Sequence, residues 1–313
     1  MITYNHENFI AQAIEGVLMQ VVDFQYEIII GEDCSTDKTR NIVVGYQNRF
    51  PDRIKVLLHE KNVGMMQNFI QTIQACRGEY VALCEGDDYW TAPHKLQKQV
   101  DFLESHPEYA ICFHNAITIC EDGSKEPQNY CPVNQKIIST LKDLIVENFI
   151  PTCSVMFRRG LFNEFPDWCS NLRMGDWPLH IFNAQHGNIR YFNELMGVYR
   201  IHSGGVWSSM RDIQQCKETI MVLDYLNAYL DFQYEKQIKR SKSVGYYKLA
   251  ATYTNSGDAA NAEASLKKSF IECPFNNRIP GIRRSKMLLR LNTPALYRFA
   301  KTLKRSIRLA ASS

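Results

Sequence analysis

The sequence has no apolar run near the roughly 20 residues that a membrane-spanning helix needs. Its opening residues, Met1-Ile2-Thr3-Tyr4-Asn5-His6, lack the basic start and apolar stretch of a secretory leader. Neither a secreted nor an integral membrane protein is expected. There are ten cysteines but no Cys-x-x-Cys pair, and no histidine cluster at zinc spacing. This speaks against a disulfide framework or a structural zinc site and for reduced, mostly buried thiols in a cytoplasmic protein. No Gly-rich phosphate loop stands near the start, as a nucleotidyltransferase would require. Acidic residues are missing from the last stretch: Arg278 to Ser313 holds ten Lys and Arg and no Asp or Glu, leaving 26 basic against 33 acidic residues upstream. A basic tail on an acidic body points to a polyanionic partner, a membrane leaflet or a nucleic acid.

What is present is ordinary globular material, 313 residues of which 45% are hydrophobic and 22% charged. That length suits two domains of roughly 150 residues, or one large α/β domain with an appendage. Up to about Ala116, β-rich runs at Met1 to Tyr4, Tyr26 to Gly31, Ile54 to His59, Tyr80 to Cys84 and Ala110 to Ala116 alternate with helical patterns. Those patterns, at Phe9 to Met19, Thr36 to Arg49, Met66 to Cys76 and Pro93 to Ser105, predict amphipathic crossover helices on a largely parallel sheet. Ligands in such sheets bind beyond the carboxyl ends of the strands. Those ends carry Tyr4-Asn5-His6-Glu7, Glu32-Asp33-Cys34-Ser35-Thr36-Asp37 and Glu85-Gly86-Asp87-Asp88. A single Asp or Ser after a strand ordinarily caps the next helix. Three strand ends converging on carboxylates favour a binding site.

Farther on, the pattern predicts a helix over Leu141 to Glu147, a strand near Ser154 to Phe157 and a helix starting at Gly175-Asp176-Trp177-Pro178. Beyond Ser209 it is helical, with one long helix over Asp212 to Arg240 and a helical hairpin over Ser243 to Asn276. Tyr246, Leu249, Ala250, Tyr253, Gly257, Ala262, Leu266 and Pro274 fall at the spacings of one 34-residue tetratricopeptide-like unit. One unit cannot bury both its faces, so a hairpin packed on a neighbour is expected rather than a peptide-binding array.

Four motifs stand in order: Tyr4-Asn5-x-Glu7 leading into Ala13-Ile14-x-x-Val17-Leu18-x-Gln20; Glu32-Asp33-x-Ser35-Thr36-Asp37-x-Thr39; Glu85-Gly86-Asp87-Asp88-Tyr89-Trp90; and Gly175-Asp176-Trp177 followed by Tyr199-Arg200-x-His202. In these the chain resembles the family 2 glycosyltransferases of the GT-A fold, especially bacterial enzymes of surface-polysaccharide synthesis, over roughly Met1 to Ser208. The resemblance implies an α/β fold, Rossmann-like, with a mostly parallel sheet flanked by helices and an α-helical C-terminal region. It divides the chain into a GT-A domain at 1–209, a helical region with one tetratricopeptide-like hairpin at 210–276 and a basic amphipathic tail at 277–313. It also implies inverting transfer of a hexosyl or N-acetylhexosaminyl group from a nucleoside-diphosphate donor, UDP above all, to a saccharide or lipid-linked saccharide. The family's first strand ordinarily begins several residues before the Tyr-Asn pair, so a short first strand is expected here.

Such transfer needs a cation on the diphosphate to stabilise the departing charge. Asp87 and Asp88, hard oxygen ligands at a rigid strand end, suit Mn²⁺ or Mg²⁺ better than zinc. By resemblance Asp88 is the direct ligand and Asp87 reaches the ribose or a metal-bound water. Asp33 aligns with the nucleotide-reading aspartate, which accepts the N3–H of uracil while Tyr4 packs beside the base. Glu7 either fixes this loop or the nucleotide, or complements the dipole of the next helix. Asp176 aligns with the general base that deprotonates the acceptor hydroxyl. The family's preceding acid is Gly175 here, and the alternative for Asp176 is a helix cap before Trp177-Pro178. Arg200 and His202, ahead of Ser203-Gly204-Gly205, are candidate diphosphate or metal contacts, with an ordinary polar loop as the alternative for His202.

Drawn as a helix, 295–310 gathers Leu296, Phe299, Ala300, Leu303, Ile307 and Ala310 on one face and Arg298, Lys301, Lys304, Arg305 and Arg308 on the other. This is the pattern of an interfacial helix, so 294–313 is expected either to dock on an anionic membrane surface or to pack on its own domain. The same segment has only two aromatics, Tyr297 and Phe299, and no nucleic-acid module stands elsewhere, so no nucleic-acid partner is expected. The rival function is a non-catalytic nucleotide-sugar or carbohydrate-binding scaffold with a helical interaction tail. The presence of Asp87, Asp88 and Asp176 argues for the enzyme.

Overall fold

The computed structural model describes residues 1–279 and 281–292. The chain divides into two units, Met1–Ser209 and Met210–Ser313. In the first, β1 (Ile2–Thr3), α1 (Ile10–Leu18), β2 (Ile28–Glu32), α2 (Thr39–Arg49), β3 (Ile54–Leu58) and α3 (Met65–Gln74) follow in βαβ order. Ile10, Ala13, Ile14 and Val17 recur at helical spacing and form the buried stripe of α1. All five residues of β2 are buried, as a central strand covered on both faces requires. The three strands are parallel in the order β1-β2-β3, with Ile2 opposite Gly31 and Ile28 opposite Ile54.

The unit continues through β4 (Tyr80–Ala82), β5 (Tyr89–Trp90), α4 (Lys95–Ser105), β6 (Tyr109–Cys120), β7 (Gln128–Asn129), β8 (Ile138–Ser139), α5 (Leu141–Val146), β9 (Met156–Arg158), α6 (Asp176–Ala184) and β10 (Asn188–Ile201). The second sheet runs β4-β9-β6-β10-β5, with β7 on β6 and β8 on β10. Here β6 and β10 are parallel, while β9 pairs antiparallel with both β4 and β6, and β5 antiparallel with β10. The parallel rhythm of the opening thus gives way to a mixed sheet, because strands of two or three residues paired antiparallel need no crossover helix to announce them. Gly86 N–H donates to Ile2 C=O at 2.9 Å, joining the edge of the first sheet to the loop after β4. Ile10, Ile14, Ile28, Ile30, Leu103 and Met156 share one core cluster that sets α1 and α4 against strands of both sheets. Two elements exceed their expected extents. β6 runs past Ala116 to Cys120, and β10 starts at Asn188, well ahead of the strand-like Met196 to Tyr199 of the sequence, because register shifts around Leu195 break the alternation a strand would show.

In the second unit the helix expected over Asp212 to Arg240 is two helices, α7 (Asp212–Tyr229) and α8 (Glu235–Asn255). Between them Asp231 and Phe232 take left-handed backbone angles, φ 49° and 59°. Neither is glycine and no proline marks the break, so the turn left no composition signal. Folding back lets α8 pack on α7 at Gly245, where an added Cβ would stand 2.9 Å from Ile220 Cγ1. α8 and α9 (Ala259–Glu272) form the expected hairpin, turning at Gly257 with φ +83° and with Asp258 Oδ1 accepting from Asn261 N–H at the start of α9. Leu249, Ala250, Ala262 and Leu266 of the repeat pattern are buried between them. α10 (Gly281–Asn292) follows, and its buried Arg284 donates to the carbonyls of Cys273 and Pro274 that end α9. No described helix is long and apolar enough to cross a membrane. The amphipathic segment expected at 294–313 lies outside the described residues.

Candidate active site

Three loops at the carboxyl ends of the strands are stitched together by side chains. After β1, Asn5 takes a left-handed conformation (φ 55°), and its Oδ1 accepts from Thr36 N–H at 2.8 Å. His6 N–H donates to Thr39 Oγ1, Glu7 N–H to Asp37 Oδ2, and Glu7 Oε2 accepts from Lys38 N–H. Glu7 therefore ties the first loop to the start of α2. Tyr4 is exposed beside it. Asp33 is buried, and its two carboxylate oxygens accept from Val63 N–H at 2.7 Å and Gly64 N–H at 3.0 Å. It shapes the β3–α3 loop whatever else it contacts.

The loop between β4 and β5 brings Glu85, Asp87 and Asp88 within 4.8 Å of one another through their carboxylate oxygens. Asp88 is 1% exposed; its Oδ1 accepts from Arg200 N–H at 2.8 Å, while Oδ2 is buried without a partner. Burial, followed by the charge of Asp87, pushes its carboxyl well above the usual range. The same two causes, in that order, raise Glu85 to about 8. Burial alone would raise Asp87 too, but the hydrogen bond from His202 and the nearby His6 outweigh it and hold that carboxyl low. His202 Nε2 lies 3.0 Å from Asp87 Oδ2, and His6 Nε2 lies 3.9 Å from the same oxygen. Asp87 thus belongs to two candidate cation clusters, one with His6 and His202 and one with Glu85 and Asp88.

Arg200 behaves as a brace. Its guanidinium donates to Glu121 Oε1 at 2.8 Å, to Asp87 C=O at 2.7 Å and to Gln12, and lies over the ring of Tyr89 at 4.4 Å. Reaching a diphosphate would break these bonds, and of the expected pair the structure puts only the imidazole of His202 on the Asp87 carboxylate.

Asp176 is the first residue of α6, with Gly175 in the capping position. Its Oδ2 accepts from Asn148 Nδ2 at 3.0 Å and Thr152 Oγ1 at 3.1 Å. Glycine precedes it for a steric reason: a Cβ at 175 would stand 2.9 Å from Phe69 and 3.0 Å from Met66 Sδ on α3. The charge of Asp176 contributes to the raised Glu85, which sets the two in one electrostatic neighbourhood.

Sequence reading missed His6, Asn148 and Thr152. His6 occupies the unspecified place in Tyr4-Asn5-x-Glu7, whereas Asn148 and Thr152 come from an irregular stretch that carries no motif. The donor set fits a divalent cation: Asp88 Oδ2 is an orphaned buried oxygen on a carboxylate that clusters with two others, a costly arrangement that a cation relieves.

A βαβ sheet, carboxylates at its strand ends and an acid on a following helix define the class of GT-A-like glycosyltransferase folds. Residues 1–164 match the family model "Glycosyl transferase family 2", more than half of the chain, and the chain belongs to that family. It is 42% identical over 208 residues to an uncharacterised protein of Mycobacterium tuberculosis, covering 66% of this chain and 59% of that one. The chain therefore spans about 59% of the length of such relatives. It is 33% identical over 122 residues to a Bacillus subtilis protein bearing the name teichuronic acid biosynthesis glycosyltransferase TuaG, 39% of this chain and 47% of that one. Among solved structures, Staphylococcus aureus TarS 1–349 with UDP-GlcNAc superposes with a TM-score of 0.56 at 18% identity, covering 86% of this chain and 89% of that one. At that identity the likeness establishes the fold.

Proposed function

We propose that the chain is a metal-dependent, inverting glycosyltransferase that moves a hexosyl or N-acetylhexosaminyl group from a nucleoside-diphosphate donor, UDP above all, to a saccharide or lipid-linked saccharide in surface-polysaccharide synthesis. The observation that carries this reading is Asp88, a buried carboxylate with one oxygen fixed by Arg200 N–H and the other unpartnered beside Asp87 and Glu85. The UDP-GlcNAc bound by TarS and the name of TuaG support the donor and product classes.

In this mechanism Asp88 and Asp87 would hold Mn²⁺ or Mg²⁺, which when bound would supply Lewis-acid stabilisation of the leaving diphosphate. Tyr4 and Asp33 border the nucleotide, and Asp87 also reaches the ribose. Arg200 keeps the 87–88 turn rigid, and His202 stands beside Asp87 to meet the diphosphate or the cation. Asp176 accepts the proton of the acceptor hydroxyl. The hydroxyl oxygen forms its bond to the anomeric carbon as the bond to the diphosphate oxygen breaks on the opposite face, so one displacement inverts the configuration. Docking of 294–313 on the inner face of the cell membrane would bring this site to a lipid-linked acceptor.

Asp88→Asn tests the reading. The amide keeps the shape and removes the charge, so metal-dependent turnover of the donor should vanish while the melting temperature is retained or rises. Undiminished turnover by the variant at saturating metal would remove Asp88 from the site.

A further inference from the structure

We infer that Asn148 and Thr152 are positioning residues for Asp176, an inference that rests on Asp176 being the base that receives the acceptor proton. They come from the segment between α5 and β9, and both place a neutral donor on the same oxygen, Oδ2. An ionised carboxylate oxygen has about two acceptor sites, so Oδ2 is fully occupied and the proton must arrive at Oδ1. Two donors on one oxygen also stop the carboxylate from turning about its bond to Cβ. Thr152 is 8% exposed and sits in a 3-10 turn, Thr152–Ser154, which Ser154 Oγ closes by donating to Pro151 C=O at 2.7 Å. α6 is fastened in turn, because Trp177 Nε1 donates to the Leu144 carbonyl of α5 at 2.9 Å. Base and donors are therefore held by separate rigid pieces rather than by one flexible loop.

The titratable neighbours are His180 on α6, Glu85 on the loop after β4 and Tyr130 ahead of β8. His180 is fully buried, with neither ring nitrogen hydrogen-bonded, and burial keeps it neutral near pH 7 by pushing its pKa down to about 4. It donates nothing to Asp176. The hydrogen bonds that aim the base are those of Asn148 and Thr152.

The test compares Thr152→Val, Thr152→Ser and Asn148→Ala with Asp176→Asn in the full chain. One readout is release of nucleoside diphosphate from the UDP- or GDP-sugar that the protein hydrolyses with Mn²⁺, water standing in as acceptor. The other is the split between kcat and donor KM, which a misaimed base and a damaged donor site move differently. Hydrogen bonds to a charged group are worth about 10- to 100-fold, so Thr152→Val and Asn148→Ala should each lower kcat by about that factor with donor KM within about two-fold. Thr152→Ser keeps the hydroxyl and should restore both readouts. Unchanged kcat in Thr152→Val and Asn148→Ala would overturn the inference, as would Thr152→Ser being as impaired as Thr152→Val. If Asp176→Asn itself leaves kcat intact, the base assignment fails and the positioning role falls with it. A normal loss in Asp176→Asn with undisturbed Thr152 and Asn148 variants refutes the positioning role alone.

Discussion

Lys95 opens α4 with its side chain wholly buried. Its Nζ stands 3.6 Å from the centre of the Trp90 ring and has no hydrogen-bond partner. Burial pushes its pKa down from 10.5 to about 7, against the smaller opposing effect of Cys84, Cys112 and Cys153. The unfolded chain keeps this proton to about pH 10.5 and the folded chain only to about pH 7. Between these values the unfolded state binds more protons, so this group makes stability rise with pH across that window. Below pH 7 both states are protonated and the full cost of a buried ammonium is present. A fall from 10.5 to about 7 corresponds to about 5 kcal/mol at 1.36 kcal/mol per pH unit. Neither titration is complete at pH 6.5 or at pH 10, so comparing those two pH values reads about 3–4 kcal/mol of it. Lys95→Met keeps the stem and deletes the charge. Its stability gain over the parent should therefore be about 3–4 kcal/mol larger at pH 6.5 than at pH 10. For a unit of this size that is about 6–16 °C in melting temperature. The assay is thermal and denaturant unfolding of both proteins across pH 6 to 10, where taking the difference cancels every other titrating group. Two pH–stability curves that run parallel would refute the burial argument.

Two further outcomes are expected. Asp176→Asn should leave donor affinity nearly unchanged and lower transfer by about 10²-fold or more, as loss of a general base does; transfer within a few-fold of the parent would place the base elsewhere. Deleting Pro294 to Ser313 should release the protein from anionic vesicles without slowing donor hydrolysis in solution, and raised salt should weaken the binding of the full chain. Failure of the full chain to co-sediment at low salt, or unfolding on deletion, would make the tail structural.

The first hundred residues were legible because βαβ units repeat a strong contrast: Ile28–Glu32 buried throughout against a helix such as α1 with a single buried stripe. The carboxylates at the strand ends were legible because loop residues there have few structural reasons to be acidic together. The break at Asp231–Phe232 was not, since two non-glycine residues adopt left-handed angles to let α8 return along α7. Nor was the first half of β10, where bulges around Leu195 scramble the strand alternation. At the site, motif spacing led to Asp87, Asp88 and Asp176 but assigned Arg200 a ligand role, whereas its guanidinium is spent on Glu121, Gln12 and the Asp87 carbonyl. Partnerships of that kind depend on residues more than 70 positions apart and leave no local pattern.

The most direct measurement is a screen of UDP- and GDP-sugars with the full chain, with Mn²⁺, Mg²⁺ or EDTA, following release of the nucleoside diphosphate. Metal-dependent release from at least one donor, strongest among UDP-sugars and lost in both EDTA and Asp88→Asn, is the expected result. No release above the Asp88→Asn background from any donor, or equal release in EDTA, would contradict metal-dependent glycosyl transfer at this site.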